Sequence, residues 1–228
     1  MLHARKLSKI LLLFFALGSF ILSVQTQPLS ASELTEDALV YKNDAREFRV
    51  RRSLLENVAS TARAILAHNK YVYELNLKLP PSAVGALEVE RARITVIRST
   101  IVVLEAEHTI GDHVLRERMS KLKAEWELGT RIKVLADLAG LYLEMRQLQV
   151  GHAQTIAEHT DTIAASLMAE RDIVKRLNDT NSVSAEELHE IESRYRGAKE
   201  NSVNNWASLA AAKREFEDAK KDLEAVQH

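Results

Sequence analysis

Hydrophobic residues in the last part of the chain recur at alternating spacings of three and four. The series reads Leu188, Ile191, Tyr195, Ala198, Ser202, Asn205, Leu209, Ala212, Phe216, Ala219, Leu223 and Val226. This is the heptad pattern of a coiled coil, and the alanines between large residues allow a neighbouring helix to approach closely. We therefore predict a coiled-coil seam here, in which the polar pair Ser202 and Asn205 can fix the register.

Weaker stripes of the same kind run through the preceding 140 residues, and helix breakers divide them. No proline follows Pro81, so the strongest helix breaker is missing from most of the chain. The Pro80-Pro81 pair separates a first predicted helix, 45–79, from a second, 82–128.

The second half of the chain predicts two more helices. Gly129 is placed to end the second helix, and a third follows at 130–177; the alternative is one bent helix that continues through Gly129. The polar string 178–182 reads as a loop, because such side chains bond their own backbone and compete with helix. Ser184 is placed to cap the fourth helix, with Glu187 three residues on to close a capping box.

The predicted fold is all-α. The third and fourth helices have about the same length, so we expect long antiparallel coiled-coil hairpins or an elongated four-helix arrangement. The predicted domains are a first helical pair at 45–128 and a second helical hairpin at 129–228, with its tip at 178–184.

The N-terminus reads as an export signal. Arg5, Lys6 and Lys9 precede an apolar run at 10–24, and small residues follow. We predict a signal peptide or signal anchor at 1–31 and a linker at 32–44. The expected location is the periplasm or another exported compartment, with inner-membrane anchoring if the signal is retained.

Composition narrows the choice of partner. The chain has 31 basic and 32 acidic residues, so it has no excess of positive charge to bind the phosphates of a nucleic acid. It has no cysteine, which removes thiolate chemistry. We therefore expect protein partners, including self-association, and membrane contact only through an uncleaved N-terminal segment.

The predicted tip carries a resemblance to a known family. From Leu177 to Ser184 the chain reads Leu-Asn-Asp-Thr-Asn-Ser-Val-Ser, and an alanine-spaced helix follows. This resembles the α-hairpin of periplasmic adaptor proteins, also called membrane fusion proteins. The pattern of hydrophobic and small residues is also similar to that of the hairpins of outer-membrane efflux channels. In the adaptor family, a leucine and a serine at this spacing belong to the tip that docks on an outer-membrane channel.

The resemblance implies a docking role for Leu177 and Ser184. The family also has an arginine four residues before the leucine, where this chain has Ile173, with Arg171 and Arg176 on either side. We therefore count both arginines among the expected docking residues. The lipoyl-like and barrel domains of the family have no counterpart in the sequence pattern.

The sequence gives only weak indications of a metal site or of enzyme activity. His108, His152 and His159 fall on or beside predicted seams, where imidazoles could titrate or ligate Zn, Cu or Ni. Two Glu-x-x-His strings, which begin at Glu105 and Glu186, match a di-iron bundle motif but fall at different heights of their helices. We predict no enzyme and no cofactor.

Two functions remain open at this point. The first is an exported coiled-coil interaction protein, an adaptor-like component of an envelope efflux or secretion system that docks through its hairpin tip, with an outer-membrane channel as a candidate partner. The alternative is a free-standing periplasmic helical scaffold, chaperone or metal-responsive binding protein.

Overall fold

The structure, a computed structural model, describes residues 36–128 and 131–227. It contains four helices: α1 at Glu36–Asn76, α2 at Ala83–Glu127, α3 at Arg131–Asp179 and α4 at Ala185–Gln227. No strand occurs among these residues. The all-α prediction is confirmed. No helix in this part of the chain is long and apolar enough to cross a membrane.

Successive helices pack against each other in antiparallel pairs. Close backbone contacts join α1 to α2, α2 to α3 and α3 to α4, and join no other pair within the described ranges. The Arg63–Glu107 and Arg118–Glu144 ion pairs mark the first two contacts. The turn between α1 and α2 therefore lies at the same end as the turn between α3 and α4. We call this the tip end and define it as residues 77–84 and 177–184.

The first helix starts earlier than predicted. It begins at Glu36, so residues 36–44 are helical and do not belong to the linker predicted at 32–44. Ala38 and Ala45, one heptad apart, are buried and continue the alanine-lined face of α1. The predicted signal at 1–31 and the predicted break at Gly129 lie outside the described residues.

The main hydrophobic core lies near the tip end and is shared by three helices. Its buried members are Leu87, Ile94 and Ile97 from α2, Ile163, Leu167, Ile173 and Val174 from α3, and Ile191 from α4. Leu177, Val183, Leu188 and Tyr195 pack around it while partly exposed. Helix α1 contributes no residue to this core.

The α4 heptad series faces α3. Of its large members, Ile191 and Leu209 are buried, and Leu188, Tyr195, Phe216 and Leu223 are half-buried. The polar pair in the series meets polar residues on α3. Ser202 Oγ donates to Asp161, and Asn205 Nδ2 donates to Thr160 Oγ1 at 3.3 Å.

Trp206 extends the same polar layer. Its Nε1 donates to the second carboxylate oxygen of Asp161 at 2.9 Å. The bond from Ser202, followed by that from Trp206, lowers the pKa of Asp161. A shift of α4 by one heptad would separate Ser202 and Trp206 from Asp161. The polar layer therefore selects one register.

Two serines begin helices at the tip end. Ser82 Oγ accepts from the backbone nitrogen of Gly85 at 2.9 Å, and Ser184 Oγ accepts from that of Glu187 at 3.1 Å. Both satisfy a backbone donor that the helix leaves unpaired. The Glu187 side chain accepts from Arg91 at 3.2 Å and does not close the capping box that the sequence predicts.

Helix α3 ends in a Schellman motif. The Ser182 nitrogen donates to the Leu177 oxygen at 2.8 Å, and the Asn181 nitrogen donates to the Asn178 oxygen at 2.8 Å. Asn181 has a φ of 54°, the left-handed conformation that this motif requires after the helix. Asn178 Nδ2 also donates to the Val183 oxygen at 3.1 Å. The turn is thus fixed by several bonds within a few residues.

Asn181 is the residue whose replacement tests this turn. We expect Asn181→Ala to lower the free energy of unfolding by about 1 kcal/mol, because alanine is disfavoured in the left-handed region. Asn181→Gly should leave it unchanged or raise it slightly. Urea denaturation followed by circular dichroism measures both. The control is Asn204→Ala in α4, where alanine is the better helix former and should stabilise; a loss at both asparagines would contradict the explanation.

Candidate functional site

The structure places the four predicted docking residues within one turn region but gives them different roles. Leu177 is half-buried and packs on the core, and Ser184 is exposed and caps α4. Arg171 pairs with Asp172 at 2.7 Å and lies over the Tyr195 ring at 4.9 Å. Arg176 is exposed. Ser184 and Arg176 are therefore the members of the set that face solvent.

Ile173 has a structural reason to be apolar. It is 7% exposed and belongs to the core shared by α2, α3 and α4. An arginine at this position would have to enter that core. The arginine of the adaptor pattern therefore has no equivalent place here, because residues of the surrounding helices bury this position.

An ionic cluster lies beneath the tip end. The Glu170 side chain has no solvent exposure, and Arg91 Nε donates to its Oε1 at 2.9 Å. Arg194 NH1 lies 3.5 Å from the same oxygen, and Arg91 NH2 donates to Glu187 at 3.2 Å. The bond to Glu170 raises the pKa of Arg91. One buried carboxylate thus connects α2, α3 and α4.

The cluster borders a cavity of about 340 Å³ that also reaches Ser184 and Glu190. Glu170 Oε2 has no hydrogen-bond partner within the described residues. Sequence reasoning missed this cluster. The sequence did contain a signal for it. Glu170 occupies one position of a series spaced by four and three, which reads Ile163, Leu167, Glu170, Val174 and Leu177. The spacing therefore places a charged residue on the inward face of the helix.

Removing Arg91 should therefore destabilise the tip end. We expect Arg91→Ala to lower the free energy of unfolding by about 2 kcal/mol, less than the 3–5 kcal/mol for a wholly buried pair, because Arg194 still neutralises Glu170. Glu170→Met should cost less, since both arginines reach water.

Urea denaturation of the two variants measures this difference. Lys221→Ala serves as the control, because its pair with Asp218 is about three-quarters exposed and should contribute less than about 0.5 kcal/mol. A larger loss for Glu170→Met than for Arg91→Ala would contradict the assigned role of the arginines.

Two histidines meet halfway along α2 and α3. The rings of His108 and His152 stack with centroids 4.2 Å apart and an interplanar angle of 8°. They border an open cavity of about 710 Å³ whose apolar lining includes Leu104, Val114 and Leu148. The Nδ1 atom of His108 is buried without a hydrogen-bond partner within the described residues.

The third predicted histidine stands apart from this pair. The Nδ1 atom of His159 lies 2.8 Å from the Thr155 carbonyl oxygen, two turns farther along α3. No group of three or more His, Asp or Glu side chains in the described residues is placed to hold a metal ion. His108 and His152 are thus brought together, and His159 does not join them.

The surroundings of the pair favour neutral rings. Burial lowers the pKa of His108, and Asp112 opposes this in part. Burial also lowers the pKa of His152, and the charge of His108 lowers it further. Glu107 and Glu144 line the open side of the cavity. Two imidazolium ions at this distance would repel each other in a partly desolvated place.

The histidine pair predicts a pH dependence of stability. Because both folded pKa values lie below the ordinary 6.5, the unfolded chain binds more protons, and stability falls as pH drops through 6.5. We expect a loss on the order of 1 kcal/mol between pH 7.5 and 5.5.

Urea midpoints across that range measure the slope. His152→Leu should flatten it, whereas replacement of the exposed His189 by Gln should leave it at the wild-type value. Equal slopes in wild type and His152→Leu would contradict the assignment.

Apolar side chains are exposed at the tip end beside the α3–α4 turn. Leu77 and Leu79 lie in the turn after α1, and Val84 lies in the first turn of α2, with 61% of its surface exposed. Leu87, one turn after Val84, belongs to the same core as Ile191. The two turns are therefore held on one shared core, and the apolar residues beside them face solvent.

Comparisons with protein-family models, curated proteins and solved structures return no match for this chain. The resemblance to the adaptor hairpin stays a prediction that depends on the residues of the tip. Arguments about function therefore depend on the geometry described above.

Proposed function

We propose that this chain is an exported helical interaction protein, an adaptor-like component of an envelope efflux or secretion system that docks on a protein partner through its tip end. The observation that carries the proposal is the pair of neighbouring turns with exposed Leu77, Leu79 and Val84. Exposed apolar groups clustered at one end of a charged helical molecule favour a protein contact.

The rigidity of the tip end supports this role. The Schellman motif ends α3, Ser82 and Ser184 begin α2 and α4, and the Glu170 ion cluster connects the helices directly beneath. A surface that is already ordered loses little conformational entropy when a partner binds. Leu177 supports the proposed surface indirectly, because its packing on the hydrophobic core sets the position of the α3–α4 turn.

The polar part of the proposed surface comes from the α3–α4 turn. Thr180, Asn181 and Ser182 are exposed there, and Arg176 adds a positive charge one turn earlier. An apolar patch with a polar rim of this kind is the usual composition of a protein interface. The proposed location in the cell envelope depends on the N-terminal signal.

Site-specific photo-crosslinking in the native cell envelope tests the docking proposal. Because Ser184 caps α4, the photoreactive residue is placed at Val84, and the control position is the exposed Lys213, about 40 Å farther along α4 from the tip. We expect a channel or transporter component to be captured from Val84 and not from Lys213.

A second variant separates binding from folding. Leu77→Asp combined with Leu79→Asp should abolish capture from Val84 and leave the helical circular dichroism signal unchanged, because both residues are exposed. Undiminished capture by this variant, or equal capture from Lys213, would contradict the proposal.

A further inference from the structure

Helix α1 exposes several of its large aliphatic residues and fully buries only alanines. Its only fully buried residues are Ala38, Ala45, Ala59 and Ala62. In contrast, Leu54, Val58 and Ile65 are 63%, 54% and 54% exposed. Burial of large aliphatic side chains is what normally stabilises a helix in a protein. The contact with α2 therefore uses one face of α1 and leaves a second apolar face uncovered.

The uncovered face has the spacing of a coiled-coil seam. We call it the α1 stripe and define it as Leu54, Val58, Thr61, Ile65, His68, Val72 and Leu75. The intervals between these residues are four and three in strict alternation. A covering element that matches this pattern is an α-helix, because only a helix brings its own residues to every site of a heptad seam.

A groove beside the α1 stripe is open for such a helix. It has a volume of about 370 Å³ and is lined by Val58, Thr61, Ala62 and Ile65 of α1 and by Ser99 and Val102 of α2. Val102 is also more than half exposed. No described helix fills this groove, since α1 makes close backbone contact with α2 alone.

The α1 stripe is complementary to itself when it is reversed about residue 63. Leu54 then faces Val72, Val58 faces His68, and Thr61 faces Ile65, so that six of the seven stripe residues pair with each other in a-to-d layers of an antiparallel coiled coil. We propose that a second copy of this chain covers the α1 stripe, with the two α1 helices antiparallel.

Charge also favours this register. About residue 63, Arg51 lies opposite Leu75 and next to Glu74, so that opposite charges meet at both ends of the stripe. A shift by one heptad in one direction brings Arg51 opposite His68. A shift in the other direction brings Leu54 opposite Leu79, beyond the end of α1 at Asn76. The centred register avoids both.

The α1 stripe is long enough for several layers of a coiled coil. From Leu54 to Leu75 it is about 32 Å long, and the neighbouring groove on α2 widens it. This proposal is independent of docking through the tip end, because it uses a different surface.

Cysteine crosslinking of the full chain tests the arrangement, since the natural chain has no cysteine. We expect a mixture of Leu54→Cys and Val72→Cys chains to form a crosslinked dimer. Each variant alone should not, because equivalent residues of an antiparallel pair lie about 27 Å apart along the axis. Crosslinking of Leu54→Cys alone would overturn the antiparallel geometry.

Light scattering provides the second measurement. The wild-type protein should have twice the mass of one chain, and Ile65→Glu should weaken the dimer by more than about 30-fold, the effect of losing one central interface residue. The control is Val203→Glu, at a position on α4 that is 62% exposed and lies outside the stripe. A monomeric wild type at micromolar concentration would overturn the proposal and indicate that a different protein covers the stripe.

Discussion

The Glu170 carboxylate lies where water does not reach, and the arginines at 91 and 194 offset the cost of that burial. A buried charge is tolerated only when its partners are correctly placed. Arg91 comes from α2 and Arg194 from α4, and Arg91 also binds Glu187. The relative heights of three helices are therefore tied to one carboxylate. Because α1 packs on α2 alone, its position depends on this cluster indirectly.

The helix pairs are stabilised in two different ways. Between α3 and α4, large residues pack at heptad positions and the Asp161 layer selects the register. Between α1 and α2, buried alanines and the half-buried Phe48 form the contact, and the buried Glu117 is held by Arg49, Arg52 and Lys121. The bond from Lys121 and then that from Arg49 lower the pKa of Glu117 against the effect of burial. The first pair packs its large heptad residues between the helices, whereas α1 leaves Leu54, Val58 and Ile65 at the surface.

The heptad spacing, the proline pair and the capping serines were sufficient to predict four helices and their ends to within a few residues, except at the start of α1. The contacts between helices were not predictable in the same way. A heptad shows that Glu170 or His152 points inward, but the identity of the facing residue depends on the height and rotation of another helix. The α1 stripe shows the same limit, because its pattern predicts a covered seam and cannot show that α2, α3 and α4 leave it uncovered.

The two proposed surfaces constrain each other through their positions on the molecule. The α1 stripe ends at Leu75, and the exposed residues of the tip end begin at Leu77. In an antiparallel dimer centred on residue 63, the two tip ends point in opposite directions and begin about 40 Å apart. Neither copy then covers the docking residues of the other, and one dimer presents two separate tips. A parallel dimer would instead bring both sets of exposed leucines together, where they would compete with a partner for the same surface.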